Sequence, residues 1–225
     1  MHIPDGYLSP VTYLPAYAVA VPLWVHAFRR VRRLLNEETL PFISALTALS
    51  FMIMMLNIPI PGGTSGHAIG TAVIAILFGP WTGFLSVSLV LLIQALLFGD
   101  GGITSFPINA LTMGCIAAFT AAWLYPFLEK RIRRSVAAFL SGWSSIVLAS
   151  VGIALALGIQ PVIAADSAGK PLFFPFPISV TVPALVGAHM LFFGVAEGIF
   201  TVLVLNFVRR IRPEGFPVEV RDEEE

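Results

Sequence analysis

The sequence of 225 residues is 57% hydrophobic and 12% charged, and its 13 basic and 13 acidic residues leave no formal net charge. Charged residues make up about a quarter of an ordinary soluble domain, so the composition excludes that class and indicates an integral membrane protein. Most basic residues lie in three clusters that each follow or precede an apolar run, at 29–33, 130–134 and 209–212. This placement argues against nucleic-acid binding. The single Cys115 excludes an intrachain disulfide.

The amino-terminal segment, residues 1–10, is a candidate metal-binding segment. The amine of Met1, the backbone nitrogen of His2 and Nδ1 of the His2 imidazole can close adjoining rings around one metal ion. Such a planar nitrogen set suits Ni(II) or Cu(II) and leaves one in-plane position for another ligand. The alternative is an ordinary disordered start, and these residues alone do not decide between the two. No basic stretch precedes the first apolar run, so we expect no cleaved signal peptide.

The apolar runs predict how often the chain crosses the membrane, since a spanning helix needs about 20 apolar residues. They predict seven segments, at 11–33, 40–57, 67–78, 81–98, 107–128, 135–158 and 182–208. A break at Gly79-Pro80 divides the third from the fourth, because only then do all three basic clusters lie on the cytoplasmic side.

The resulting fold class is an all-α integral membrane protein with its amino terminus outside and its carboxyl terminus in the cytoplasm. We expect a single transmembrane domain at 1–212 and a polar cytoplasmic tail at 213–225.

The Gly/Pro-rich loop at 57–66 delivers His67 to the outer side of the membrane. The segment that follows has about 12 residues, or about 18 Å of helix, which is short against a hydrocarbon core of about 30 Å. The loop is therefore predicted to dip into the protein, where irregular backbone is tolerated only if it lines a cavity. His67 is accordingly a predicted metal ligand.

The loop residues before His67 have predicted supporting roles. Glycines at 62, 63 and 66 permit positive φ and let the loop fold over a small ligand. Thr64 and Ser65 can hydrogen-bond to a ligating imidazole or to the loop itself.

Further polar residues are predicted near the same outer face. Asp5 and Asp100 can each anchor an imidazole N–H or an amine, although a capped glycine turn is the alternative for Asp100. Asn109 lies just inside the fifth segment. His189 is predicted to be a hydrogen-bonded structural residue, with support of the metal site as the alternative.

Glu197 lies in the middle of the last predicted segment, and a carboxylate inside the membrane is a functional candidate. It is predicted either to carry protons or to pair with a polar partner such as Gln94.

Three motifs together resemble a known family: Met-His-Ile-Pro-Asp-Gly-Tyr-Leu at 1–8, Gly-Thr-Ser-Gly-His at 63–67 and Phe-Gly-Asp-Gly-Gly-Ile-Thr at 98–104. They resemble the substrate-specific membrane component of cobalt/nickel energy-coupling factor transporters, the CbiM/NikM family, over nearly the whole chain. The resemblance implies a six-helix core plus one extra amino-terminal helix. It also implies that Met1, His2 and His67 hold the metal.

The same resemblance implies a function and partners. The chain is expected to capture Ni(II) or Co(II) as transported cargo, with no permanently bound cofactor, in a prokaryotic cell membrane. It is not expected to be an enzyme, since two ATPase subunits hydrolyse ATP in such transporters. A transmembrane coupling subunit and often a small additional membrane subunit complete the complex in the lipid bilayer. The alternative is a self-sufficient, proton-coupled secondary permease that uses Glu197.

Overall fold

The computed structural model describes residues 1–60 and 64–214, and its secondary structure is almost entirely helical. Its helices are α1 (Pro10–Leu34), α2 (Thr39–Met54), α3 (Thr71–Phe78), α4 (Pro80–Ile93), α5 (Phe106–Asn109), α6 (Ala117–Glu129), α7 (Arg134–Gly158), α8 (Gln160–Ile163), α9 (Ile178–Ala188) and α10 (Gly194–Ile211). Two short strands, β1 (Ile58–Ile60) and β2 (Thr64–Gly66), lie between α2 and α3.

Three π-helical turns lengthen these helices: Gln94–Phe98 continues α4, Ala110–Ile116 joins α5 to α6, and His189–Phe193 joins α9 to α10. Within the described residues, five helical stretches are long and apolar enough to cross a membrane: Pro10–Leu34, Pro80–Phe98, Phe106–Glu129, Arg134–Ile163 and Ile178–Ile211. Thr39–Met54 is a shorter apolar helix. The chain is therefore a multi-pass membrane protein, as its composition predicts.

The predicted break in the long apolar run is present. Helix α3 ends at Phe78 and α4 begins at Pro80, the first helical position. A proline is well tolerated there, because the N–H that it lacks has no partner within the helix.

Several predicted boundaries were wrong by a few residues. The third segment was predicted from residue 67, but Gly70 has φ +77° and this left-handed conformation delays the helix until Thr71. The second segment ends at Met54 rather than 57. The last begins at Ile178 rather than 182, directly after Pro177.

The Gly/Pro-rich loop contains an antiparallel hairpin in which Ile58 pairs with Gly66 and Ile60 with Thr64. Gly66 does not have positive φ, so that part of the prediction was wrong. A Cβ atom at Gly66 would collide with the ring of Phe193, and close packing is therefore the reason for this glycine. Gly62, Gly63 and most of the predicted tail lie outside the described residues.

The amino-terminal segment packs inside the protein. Met1, Ile3 and Leu8 are buried, and they belong to the same hydrophobic cluster as Phe84 of α4 and Ile153 of α7. Helix α7 occupies a central place and packs against α6, α9 and α10. Residues 1–3, 8 and 9 are thus buried in the protein rather than forming a disordered start.

Candidate metal site

The α-amine of Met1 is buried beside the hairpin. It donates hydrogen bonds to the backbone carbonyl oxygen of Ser65 and, at 3.3 Å, to the Ser65 hydroxyl. Burial lowers the pKa of this amine to about 4, although the negative charge of Asp100 acts in the opposite direction. The amine is therefore neutral at physiological pH, and its nitrogen offers a lone pair to a metal ion.

The imidazole of His2 lies against that of His67, with ring centroids 4.6 Å apart and ring planes inclined by 21°. Its Nδ1 is 3.1 Å from Oδ1 of Asp100, and its Nε2 is 3.1 Å from Oε1 of Gln94. Burial lowers the pKa of His2, although the neighbouring Asp100 carboxylate acts in the opposite direction. Burial acts to raise the pKa of Asp100, but the hydrogen bond and charge of His2 outweigh it and the pKa lies below its usual value.

His67 presents one ring nitrogen without a hydrogen-bond partner. Its Nδ1 lies 3.0 Å from the carbonyl oxygen of Ala68, and because a carbonyl only accepts, the proton resides on Nδ1. The buried Nε2 is then a bare lone pair with no partner among the residues that the structure describes. A buried acceptor left unpaired costs about 1–3 kcal/mol. A metal ion that accepts the Nε2 lone pair would remove this cost.

Three side-chain amides hold the amino-terminal segment in place. Gln94 contacts His2, as described above. Asn109 pairs with the backbone of Ile3 at 3.1 Å in both directions, its Oδ1 accepting from the N–H and its Nδ2 donating to the carbonyl. Gln160 accepts a hydrogen bond from the backbone N–H of Ser9 at 2.9 Å.

Gln160 was not among the predicted site residues. Gln94, which was predicted as a possible partner of Glu197, instead contacts His2 and Met55. An amide offers both a hydrogen-bond donor and an acceptor. Glutamine and asparagine near the ends of the apolar segments were therefore the signal in the sequence for residues that hold the amino-terminal segment. A second signal appears only in the structure: π-helical turns, which are frequent at functional sites, begin at Gln94, Ala110 and His189.

The two candidate acidic residues have different roles. Asp5 accepts backbone hydrogen bonds from Ile103 at 3.1 Å and Thr104 at 2.7 Å. It therefore fixes the loop after α4, and only Asp100 contacts an imidazole.

Among the described residues, neither Thr64, Ser65 nor His189 forms a hydrogen bond with the His67 imidazole. Ser65 contacts the Met1 amine, whereas Oγ1 of Thr64 is buried with no partner in the described part of the chain. His189 is buried, and its Nδ1 donates to the carbonyl of Leu185 at 2.7 Å.

The donor set limits how a metal can bind. The described residues contain no group of three or more His, Cys, Asp or Glu side chains placed to hold a metal ion. A metal ion bound here by the two imidazoles would need further ligands, and main-chain nitrogens are the predicted ones. The two rings are stacked and their lone pairs lie in the ring planes, so a metal ion bound to both imidazoles would require the rings to turn relative to each other.

The low pKa of the Met1 amine leads to a prediction about proton release. An exposed amine with a pKa of about 8 and the His2 backbone N–H would together release about two protons per Ni(II) near pH 7. Between about pH 8 and pH 4 an exposed amine would be protonated, but the buried amine stays neutral because its pKa is about 4. The protein is therefore expected to release only about one proton per Ni(II). Calorimetry of nickel binding in buffers of different ionisation enthalpy measures this number, with a peptide of residues 1–8 as the comparison. Release of two protons by both would contradict the buried, neutral amine.

The fold and the buried site define a multi-pass membrane protein whose own amino terminus enters its interior. Residues 2–215 match a family model described as the cobalt uptake substrate-specific transmembrane region, CbiM. The chain therefore belongs to the CbiM family.

Relatives and a solved structure agree with this family. A fused nickel transport protein, NikMN, of Rhodobacter capsulatus is 42% identical over 95% of this chain and 63% of its own length. A putative metal transport protein of Methanocaldococcus jannaschii is 37% identical over 96% of this chain and 95% of its own. A crystal structure of a truncated transition metal transporter superposes with a TM-score of 0.90 at 38% identity, covering 94% of this chain and 99% of that one. The chain spans less than two thirds of the length of the NikMN relative.

Proposed function

We propose that this chain captures Ni(II) or Co(II) outside the cell and is the substrate-binding membrane subunit of an ATP-driven importer. The observation that carries the proposal is the bare, buried Nε2 of His67, whose ring stacks against that of His2, the residue that follows the buried, neutral Met1 amine. The proposed ligands are the Met1 amine, the His2 backbone nitrogen, His2 Nδ1 and His67 Nε2. The names of the relatives, which refer to nickel, cobalt and metal transport, support the same function.

The ligand chemistry favours nickel modestly. Planar nitrogen coordination suits Ni(II) better than Co(II), although copper would bind such a set more tightly still. Asp100 and Gln94 are assigned a supporting role, because each lies 3.1 Å from a nitrogen of the His2 ring and can accept a hydrogen bond from its free N–H.

We further propose seven membrane spans, with the amino terminus outside and the carboxyl terminus in the cytoplasm. Helices α2 and α3 are short, and counting each as a span places all three basic clusters on one side. The metal site then opens to the outside of a prokaryotic cell membrane.

The proposed complex contains a transmembrane coupling subunit, two ATPase subunits and a small additional membrane subunit. The fused relatives named NikMN and LarMN support association with a further component, since each is longer than this chain. ATP hydrolysis is assigned to the partner subunits, and this chain supplies the site that receives the ion.

Proteoliposomes distinguish this importer from a self-sufficient secondary permease. With external Ni(II), we expect accumulation only when the chain is reconstituted with its coupling and ATPase subunits and ATP is supplied. A non-hydrolysable ATP analogue is the matched control and should give no accumulation. Accumulation by the chain alone, driven by a proton gradient, would establish the permease instead.

A further inference from the structure

The Glu197 side chain is the only Asp, Glu, Lys or Arg side chain that is buried within the described residues. It lies near the start of α10, in a stretch long and apolar enough to span the membrane. A charge in such a place is stabilised only by specific partners. Its partners therefore indicate its role.

Both carboxylate oxygens of Glu197 accept hydrogen bonds from backbone N–H groups just before α3. Ile69 donates to Oε2 at 2.7 Å, and Gly70 donates to Oε1 and Oε2 at 3.0 Å each. Hydrogen bonds to an ionised acceptor are among the stronger ones in proteins. Protonation would weaken them and place an O–H among N–H donors, so these contacts argue against a proton-carrying role.

The same backbone segment orients His67. The Nδ1–H of His67 donates to the carbonyl of Ala68 at 3.0 Å, and that carbonyl belongs to the same planar peptide unit as the N–H of Ile69. In a trans peptide the two groups point in opposite directions. The imidazole therefore bonds to one end of the peptide unit and the Glu197 carboxylate to the other.

This arrangement extends a hydrogen-bonding pattern that is common around metal-binding imidazoles. Imidazoles that bind metals commonly donate their second N–H to a carboxylate or a backbone carbonyl, which fixes the ring and raises its basicity. Here a carboxylate acts on the ring through one peptide bond, and hydrogen bonds in such a chain polarise one another. The backbone is held from other sides as well, since Ser50 donates to the carbonyl of Ile69 and Thr71 donates to that of Met113.

We propose that Glu197 is a positioning residue for metal capture, which holds the 68–70 backbone so that Nε2 of His67 faces the amino-terminal nitrogens. The proposal rests on the function proposed above, in which His67 is a ligand. It gives the buried carboxylate of Glu197 a role in orienting a metal ligand.

The test compares Ni(II) affinity and the electron paramagnetic resonance spectrum of bound Cu(II) in purified protein with an untagged amino terminus. Glu197→Gln is expected to weaken Ni(II) binding roughly 10–100-fold, the usual effect of losing a group that orients a metal ligand. Its Cu(II) spectrum should shift from four nitrogen ligands towards the three-nitrogen spectrum of His67→Ala. Glu197→Asp, which keeps the charge, should lie between Glu197→Gln and the wild type.

Ser145→Ala is the matched control, because Ser145 is also buried and donates a hydrogen bond within its own helix, at 2.7 Å to the Gly142 carbonyl. It should leave both readouts unchanged. If Glu197→Gln does not fold, Glu197→Asp alone decides. A wild-type Cu(II) spectrum in the folded Glu197 variants would overturn the proposal, even if their affinity fell. A wild-type spectrum in His67→Ala would instead show that the proposed ligand set is wrong.

Discussion

Acetylation of the Met1 amine, or one additional residue before Met1, is expected to abolish high-affinity nickel binding. Acetylation removes the amine lone pair, and an added residue displaces the amine from the pocket in which Met1 is completely buried. Loss of a chelate ring together with this displacement should weaken binding at least about a thousandfold, or ~4 kcal/mol. Isothermal titration of the purified protein measures the change.

The matched control carries the same extra residue after Glu225 and should bind nickel like the unmodified protein. Thermal unfolding of both forms separates loss of the site from loss of the fold. Unchanged affinity after acetylation would remove the amine from the ligand set.

The His67→Ala variant is expected to weaken nickel binding by roughly 100–1,000-fold, or about 3–4 kcal/mol. It removes the proposed fourth in-plane nitrogen and leaves the three proposed amino-terminal nitrogens in place. Competition with a chelator of known affinity measures the change.

His26→Ala is the corresponding control. The exposed His26 ring contacts Trp81 and lies on α1, away from the amino-terminal nitrogens. We expect wild-type affinity from it, and equal losses in the two histidine variants would indicate a general effect on the fold.

Much of the architecture follows from the sequence because the membrane imposes simple rules. Long apolar runs become helices, and Gly79-Pro80 ends one helix and begins the next. The hairpin was not foreseen, since pairing between Ile58 and Gly66 depends on how the segment packs rather than on its composition. The late start of α3 likewise follows from the left-handed Gly70, whose conformation no pattern specifies.

The residues of the candidate site could be predicted where a residue type carries the chemistry by itself. A histidine after a terminal amine and a histidine after a glycine-rich loop are both visible in the printed sequence. The choice between Asp5 and Asp100 was not, because both lie near the outer side and only the fold brings Asp100 to 3.1 Å from His2.

The partners of Glu197 were hidden for a different reason. They are main-chain N–H groups of Ile69 and Gly70, which every sequence position except proline supplies. A search among polar side chains could therefore suggest Gln94 but could not find the true partners.

The most direct measurement is an anomalous diffraction map of nickel-loaded crystals of the protein with an untagged amino terminus. We predict one nickel peak within bonding distance of the Met1 amine, the His2 backbone nitrogen, His2 Nδ1 and His67 Nε2, all close to one plane. A nickel peak elsewhere, with Nε2 of His67 still bare, would contradict this account.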